Sequence, residues 1–188
     1  ATPLPLAETF TALQTGIDYA IYALFQSAGR DGISSIASKG LSGEGYEGHF
    51  FWDTEIYMFP FFLLTHPQIA RSLLDFRYGT LGAAKEQARL LGHSQGALYP
   101  WRTITGSECS AYFPSGSAQY HINSDIAHAI ITYYFVTGDM QYMLDKGLDR
   151  SKWDQGIQTF FKSVLSITLR GILIISLLIY LGVPATSF

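Results

Sequence analysis

The sequence of 188 residues is nearly devoid of cysteine: Cys109 is its single thiol, so no disulfide can form within the chain. It has no run of basic residues, and 12 basic and 15 acidic side chains give a formal net charge of -3. The absence of a basic patch argues against nucleic acid as a partner. The first residues also lack the pattern of a secretory signal. Together these absences predict a cytoplasmic protein that does not bind nucleic acid.

Several motifs that carry metal or nucleotide chemistry are absent as well. No His-Glu-x-x-His motif and no cysteine pair occurs, and the glycines between Gly40 and Gly48 are not followed by the Lys-Ser/Thr of a phosphate-binding loop. His121 and Asp125 lie four residues apart, with His128 following, but no third ligand stands at a characteristic spacing. We therefore expect neither a metal site nor a bound cofactor.

Apolar residues at helical spacing dominate the first 147 residues and predict an all-α fold. Asp53 and Ser124 are candidate N-caps, and Gly92 and Gly138 are candidate helix ends. Two long loops, over 29–48 and 92–120, interrupt the pattern and are rich in glycine, serine and aromatic residues. The predicted helices cover about 6–28, 54–64, 67–79, 83–91, 124–137 and 140–146.

The chain changes character after Gly147, which divides it into a helical part, 1–147, and an apolar tail, 148–188. Within the tail, Val164 to Val183 contains one charge, Arg170, and is nearly long enough to cross a bilayer. Arg170 and the many β-branched and serine residues argue against a membrane anchor. A buried helix and a non-native terminus are the alternatives, and we expect no membrane partner.

The first candidate site is the pair Trp52 and Asp53, which follows the first glycine-rich loop. An indole can cover one face of a sugar ring while a neighbouring carboxylate accepts hydrogens from two hydroxyls. The alternative is that Trp52 belongs to the core and Asp53 only caps a helix. Spacing alone does not decide between these two interpretations.

The second candidate site is Trp101 with Arg102, in the second long loop. Again an indole stands beside a charged donor, which could bind a sugar hydroxyl or stack on an aromatic ring. The alternative is a structural ion pair. A carboxylate, Glu108, follows in the same loop.

Five ordered blocks stand out over about residues 20–147: Lys39-Gly40-Leu41-Ser42-Gly43-Glu44-Gly45-Tyr46 to Phe51-Trp52-Asp53-Thr54-Glu55, Thr65-His66-Pro67, Arg77-Tyr78, Ala97-Leu98-Tyr99-Pro100-Trp101 and His121-Ile122-Asn123. Together these blocks resemble the family-65 glycoside phosphorylases. The order of several blocks makes the match more specific than any one of them.

The resemblance implies a fold, a reaction and partners. The fold is an (α/α)6 barrel, of which this chain would supply about half the ring. In the reaction, inorganic phosphate attacks an α-linked glucosyl disaccharide with inversion and gives β-glucose 1-phosphate, with phosphate as the co-substrate. The implied binding residues are Trp52 and Asp53 for the non-reducing glucose and Trp101 with Arg102 on the loop that shapes the acceptor site. Family members are often dimeric, which leaves the oligomeric state open.

One expected catalytic group is missing from these 188 residues. The resemblance assigns the general acid to a glutamate in a Gly-Pro-Asp/Asn-Glu-Tyr block, and no such block occurs. We therefore predict no catalytic residue in this chain and no phosphorolysis by this polypeptide alone, because loss of general acid catalysis slows a reaction about 100- to 10,000-fold. The alternatives are a fragment of a family-65-like α-glucoside hydrolase and a non-catalytic carbohydrate-binding or membrane-anchored helical protein.

Overall fold

A computed structural model describes residues 6–110 and 114–147. This part of the chain is mainly helical, which confirms the all-α prediction at that level. Its elements are α1 Leu6–Ser27, β1 Phe50–Phe51, α2 Phe59–Thr65, α3 Pro67–Gly79, α4 Leu81–Leu90, β2 Arg102–Thr103, α5 His121–Thr137 and α6 Met140–Tyr142. The predicted tail, 148–188, lies outside the described residues.

Helix α1 packs against the rest of the molecule mainly through its C-terminal end. The ring of Phe25 meets those of Phe61 and Phe62 edge to face, with centroids 5.7 Å apart in both cases. Towards the other end, Leu13 and Ile17 are 58% and 53% exposed. The helix therefore presents a mostly uncovered apolar stripe over its first four turns.

The helix that follows β1 contains a widened turn. Residues Thr54–Met58 form a π-helical turn that continues directly into α2, and the Phe59 N–H donates to the carbonyl of Thr54, five residues back. Pro60 has no N–H, and a proline ring clashes with the carbonyl four residues before it in a regular α-helix. The wider turn accommodates Pro60 without ending the helix, so the predicted helix over 54–64 is confirmed.

Helices α2, α3 and α5 pack together around the hydrophobic core. Phe62, Leu73 and Ile122, one from each helix, have no exposed surface. Helix α3 starts at Pro67 as predicted, because proline fits the first turn, where no donor is needed. The predicted ends of two helices are confirmed as well: Gly92 and Gly138 adopt φ values of 86° and 68°.

Helix α5 begins at His121, three residues before the predicted cap, Ser124. The prediction that Ser124 caps this helix is therefore wrong. The first turn is tied instead to the preceding loop by Asn123, whose amide nitrogen donates to the carbonyl of Ala97 at 2.6 Å. The backbone N–H of Tyr99 donates to the amide oxygen of Asn123 at 3.1 Å. Tertiary hydrogen bonds thus set the start of this helix.

A small antiparallel sheet joins the two long loops, and sequence analysis did not predict it. Phe50 pairs with Thr103 and Phe51 with Arg102, while Ala37 forms an additional bridge to Phe50. With two residues in each strand, there is too little alternation to recognise in the sequence. The sheet brings residues about 50 positions apart into contact.

The last described helix is α6, which continues as a π-helical turn over Met143–Gly147. Asp139 caps it, since its carboxylate accepts the backbone N–H of Tyr142 at 2.9 Å. The predicted helix over 140–146 is thereby confirmed. Among residues 6–110 and 114–147, none of the helices combines the length and the apolar character needed to cross a bilayer.

Candidate functional site

The small sheet and the turn after β1 enclose an open cavity of about 500 Å³. Its size falls in the range of about 300–1,000 Å³ that is typical of small-molecule sites. The lining residues come from the first loop, the turn after β1 and the second loop: Ser38, Lys39, Tyr46, Phe51, Asp53, Thr54, Met58, Trp101, Arg102 and Ser110. Three of the four predicted site residues, Asp53, Trp101 and Arg102, thus line one cavity.

Asp53 lies in the wall of this cavity and does not cap the helix. Its backbone is already helical, with φ -53° and ψ -30°, and its side chain makes no capping hydrogen bond. The interpretation of Asp53 as a helix cap is therefore wrong. In the described part of the chain the half-buried carboxylate has no hydrogen-bond or ion-pair partner. A carboxylate in this state is a strong acceptor that remains available to a ligand.

A buried ion pair fixes the backbone on both sides of Asp53. The Arg77 guanidinium donates to the Glu55 carboxylate through Nε at 2.9 Å and Nη2 at 2.7 Å, and both side chains are 1% exposed. Nη2 also donates to the carbonyl of Phe51 at 3.0 Å. Arg77 therefore holds the residues two positions before and two positions after Asp53. Burial next to this pair raises the pKa of Tyr99.

Trp52 lies beside the cavity but is not among its lining residues, although both of its sequence neighbours are. Its half-buried indole packs against the core and meets the ring of His121 edge to face, with centroids 4.7 Å apart. The indole Nε1 is buried and has no hydrogen-bond partner among the described residues. The predicted contact between Trp52 and a sugar ring stays a prediction.

Arg102 reaches from the second loop to the first. Its Nη2 donates to the carboxylate of Glu47, which is 74% exposed, so this ion pair lies at the surface. The same Nη2 lies 3.3 Å from His49 Nδ1. That nitrogen is closer, 2.8 Å, to the carbonyl of Tyr46, which can only accept, so Nδ1 of His49 carries the hydrogen. The Arg102–His49 contact is then not a hydrogen bond.

The loop at the cavity mouth has a strained backbone. Gly45, Tyr46, Glu47 and Gly48 have consecutive positive φ values of 103°, 56°, 46° and 73°. For Tyr46 and Glu47 this conformation costs on the order of 1–3 kcal/mol each. Tyr46 is held at the cavity because its ring packs edge to face on Phe51, with centroids 5.3 Å apart. Such strain is found where a neighbouring structure or a ligand requires the conformation.

Three polar atoms at or beside the cavity are buried without a hydrogen-bond partner among the described residues. They are Trp52 Nε1, Arg102 Nε and Ser110 Oγ. A buried polar group with no partner is unfavourable by about 1–3 kcal/mol, and such groups in native proteins usually meet water or a ligand. These atoms have almost no accessible surface, so the Asp53 carboxylate, and not these atoms, is the acceptor that the cavity presents to the hydroxyl groups of a ligand.

Five polar or cationic lining residues are not among the predicted site residues: Ser38, Lys39, Tyr46, Thr54 and Ser110. The first three lie in the glycine-rich loop, whose composition was the only available signal. His121 and Asp125 form a hydrogen bond of 2.7 Å along the exposed start of α5. No group of three or more potential metal ligands is found within residues 6–110 and 114–147.

Comparison with known proteins shows what this chain is similar to. The family model described as Glycosyl hydrolase family 65 central catalytic domain matches residues 18–150. The chain is 59% identical over 138 residues to α,α-trehalose phosphorylase of Geobacillus stearothermophilus, covering 73% of this chain and 18% of that protein. It is 44% identical over 151 residues to kojibiose phosphorylase of Halothermothrix orenii, covering 72% and 19%.

A solved structure and one further relative complete the comparison. A chain described as a kojibiose phosphorylase from the human microbiome matches with a TM-score of 0.67 and 37% identity, covering 71% of this chain and 18% of that one. Kojibiose hydrolase of Flavobacterium johnsoniae is 40% identical over 136 residues, covering 71% and 20%. The chain thus spans about a fifth of the length of these relatives.

Proposed function

Because the chain belongs to glycosyl hydrolase family 65, we propose that it is part of the catalytic domain of an inverting α-glucoside phosphorylase. The observation that carries the proposal is Asp53, a carboxylate in the wall of a cavity of about 500 Å³ that has no hydrogen-bond or ion-pair partner among residues 6–110 and 114–147. The substrate class is an α-linked glucosyl disaccharide, with inorganic phosphate as co-substrate and no further cofactor. Relatives named for trehalose and kojibiose support this class.

In the proposed complex each cavity residue binds the sugar through a different kind of contact. The Asp53 carboxylate accepts hydrogens from two neighbouring hydroxyls of the glucosyl unit, and charged acceptors form the stronger hydrogen bonds. The Trp101 indole offers an apolar face to the C–H side of a pyranose ring. Arg102 donates to ring or hydroxyl oxygens from the opposite loop. Trp52, which lies beside the cavity and next to Asp53 in the chain, is retained as a proposed partner of the glucosyl unit through the face of its indole.

For the fold we propose about half of an (α/α)6 barrel. The exposed apolar stripe of α1, with Leu13 and Ile17 more than half exposed, supports this, because a helix with such a face is stable when further helices cover it. Phosphate takes the place of the water-activating base in the proposed reaction, so one carboxylic acid is needed from the protein. We propose that this acid lies outside the 188 residues and that the chain alone binds substrate without turning it over.

An alternative reaction is hydrolysis of the same substrates, favoured by the relative named kojibiose hydrolase. The two reactions differ in whether phosphate is consumed. A non-catalytic carbohydrate-binding role would need only the cavity. As the cellular compartment we propose the cytoplasm, because the chain contains a single cysteine. We propose neither a nucleic-acid partner nor a membrane partner.

Calorimetric titration with trehalose, kojibiose and glucose tests the binding half of the proposal. We expect saturable binding of at least one of these sugars and a roughly ten- to hundredfold weaker affinity for Asp53→Asn, since hydrogen bonds to charged groups contribute about 1.5–3 kcal/mol. Glu44→Gln is the matched control, because this exposed carboxylate lies in the same region but does not line the cavity. Equal affinity of the wild type and Asp53→Asn would exclude the proposed site.

Assays of glucose 1-phosphate and of free glucose test the catalytic half. We expect neither product from this chain with disaccharide and phosphate. Glucose 1-phosphate that depends on added phosphate would show phosphorolysis by the chain itself and contradict the proposal that the acid lies elsewhere. Glucose formed without phosphate would favour the hydrolase alternative.

A further inference from the structure

Two residues of the second loop region converge on the same part of the cavity wall without lining it themselves. Glu108 and Gly116 both contact Trp101 and Ser110, which do line it. We propose that Glu108 and Gly116 are positioning residues that set the shape of this wall. The sugar-affinity part of this inference rests on the proposed function, whereas the placement of the Trp101 ring does not.

Glu108 binds the backbone at both ends of the segment 101–110. The N–H of Trp101 donates to its Oε2 at 2.7 Å, and the N–H of Ser110 donates to its Oε1, also at 2.7 Å. The N–H of Cys109 donates to the carbonyl of Arg102 at 2.9 Å and closes the loop further. Three cavity residues, Trp101, Arg102 and Ser110, are therefore held by one carboxylate and one backbone hydrogen bond. The two N–H groups bind different oxygens of the carboxylate, and a glutamine in its place would present an NH₂ donor to one of them.

Gly116 provides the surface on which the Trp101 ring lies. A Cβ atom at position 116 would stand 2.4 Å from Cε3 and 2.9 Å from Cζ3 of Trp101, and 3.0 Å from Cβ of Ser110. Ordinary contacts of a Cβ begin at 3.4 Å, so the indole would have to move by about 1 Å. Any residue other than glycine at this position therefore displaces the aromatic wall of the cavity.

The test uses two variants with different chemistry and one matched control. Glu108→Gln removes one of the two acceptors, and Gly116→Ala inserts a methyl group against the indole. Gly82→Ala is the control, because a Cβ at position 82 has no atom within 4 Å. Position 82 is exposed in the first turn of α4, where alanine is well tolerated.

The first readout is fluorine NMR of the chain labelled with 5-fluorotryptophan, with Trp101→Phe and Trp52→Phe used to assign two of the three tryptophan resonances. We expect both test variants to shift the Trp101 resonance while Trp52 keeps its own, which shows that the fold is retained. Gly82→Ala should shift neither. An unchanged Trp101 resonance in Gly116→Ala would overturn the inference, whether or not any sugar binds.

The second readout is the affinity for trehalose, kojibiose and glucose. We expect about tenfold weaker binding of at least one of them to both test variants, because displacement of a binding group by about 1 Å is enough for such a loss. A purely structural role would lower the melting temperature and leave the affinity of the folded protein unchanged, and this result would also overturn the inference. If the wild type binds none of the sugars, the proposed function fails and the fluorine measurement alone decides the positioning role.

Discussion

On the side of the cavity that carries Asp53, an ion pair without solvent contact holds the backbone, whereas on the side that carries Arg102 the ion pair is at the surface. Arg77 and Glu55 are each 1% exposed, while Glu47 is 74% and Arg102 20% exposed. Removing one partner of a fully buried pair leaves an uncompensated charge, whereas removing the exposed partner of a half-buried pair loses an interaction that water already weakens. We therefore expect the Asp53 side to be more sensitive to substitution than the Glu47 position on the other side.

The largest expected effect comes from breaking the buried pair. Arg77→Met should lower the free energy of unfolding by about 3–5 kcal/mol, because Glu55 would stay buried and charged without a partner. Denaturant unfolding measures the difference. The double variant Glu55→Met/Arg77→Met should recover most of the loss, since it leaves no charge unpaired. A single variant as stable as the wild type would contradict the contrast between the two sides.

The same double variant also tests whether the buried pair positions Asp53, because it lacks the pair but should keep most of the stability of the fold. It removes the hydrogen bond from Arg77 to the Phe51 carbonyl and with it the fixation of the backbone around Asp53. We expect sugar affinity to fall about tenfold although the fold is retained, because a binding group loses its supporting contacts. Calorimetric titration beside the unfolding measurement checks this. Full affinity in the double variant would show that Asp53 does not depend on the buried pair.

On the opposite side, Glu47→Ala should have a small effect. Glu47 is 74% exposed and Arg102 20% exposed, so the loss of this partly exposed pair should lower the free energy of unfolding by about 1 kcal/mol. The small difference should shrink further as the salt concentration rises from about 0.05 M to about 0.5 M, because salt screens exposed pairs. Unfolding measured at both concentrations tests this. A loss as large as that of Arg77→Met would abolish the contrast.

The smallest expected effect is a dependence of the free energy of unfolding on pH, caused by Asp31 in the first loop. Hydrogen bonds from the backbone N–H groups of Ser34 and Ile33 and from the Ser34 hydroxyl lower the pKa of Asp31 to about 2, from an ordinary value of 3.8. A lowered folded-state pKa stabilises the fold above about pH 4, and this contribution is lost as pH falls towards 2. Between pH 4 and pH 2 the free energy of unfolding should therefore decrease less for Asp31→Asn than for the wild type. Parallel acid unfolding curves for the two proteins would contradict the assignment.

The helices could be predicted from the sequence because their signals are local. Pro67, Gly92 and Gly138 act through their own backbone conformation, and apolar spacing selects the buried face within a few turns. The start of α5 could not be predicted, since the hydrogen bonds of Asn123 reach Ala97 and Tyr99, more than 20 residues away. Local spacing leaves Asp53 open as a helix cap or as a site residue, and only the structure shows that it makes no capping hydrogen bond and lies in the cavity wall.

The sequence by itself determined the helical class, the long loops and the residue types of the proposed sugar site, because composition, periodicity and ordered motifs are properties of neighbouring positions. Only the tertiary structure decided which of these residues share a cavity. The pairing of Phe51 with Arg102 and the buried contact of Glu55 with Arg77 depend on segments distant in the chain. Such contacts form when several elements bury their apolar faces together, and no local pattern encodes that arrangement.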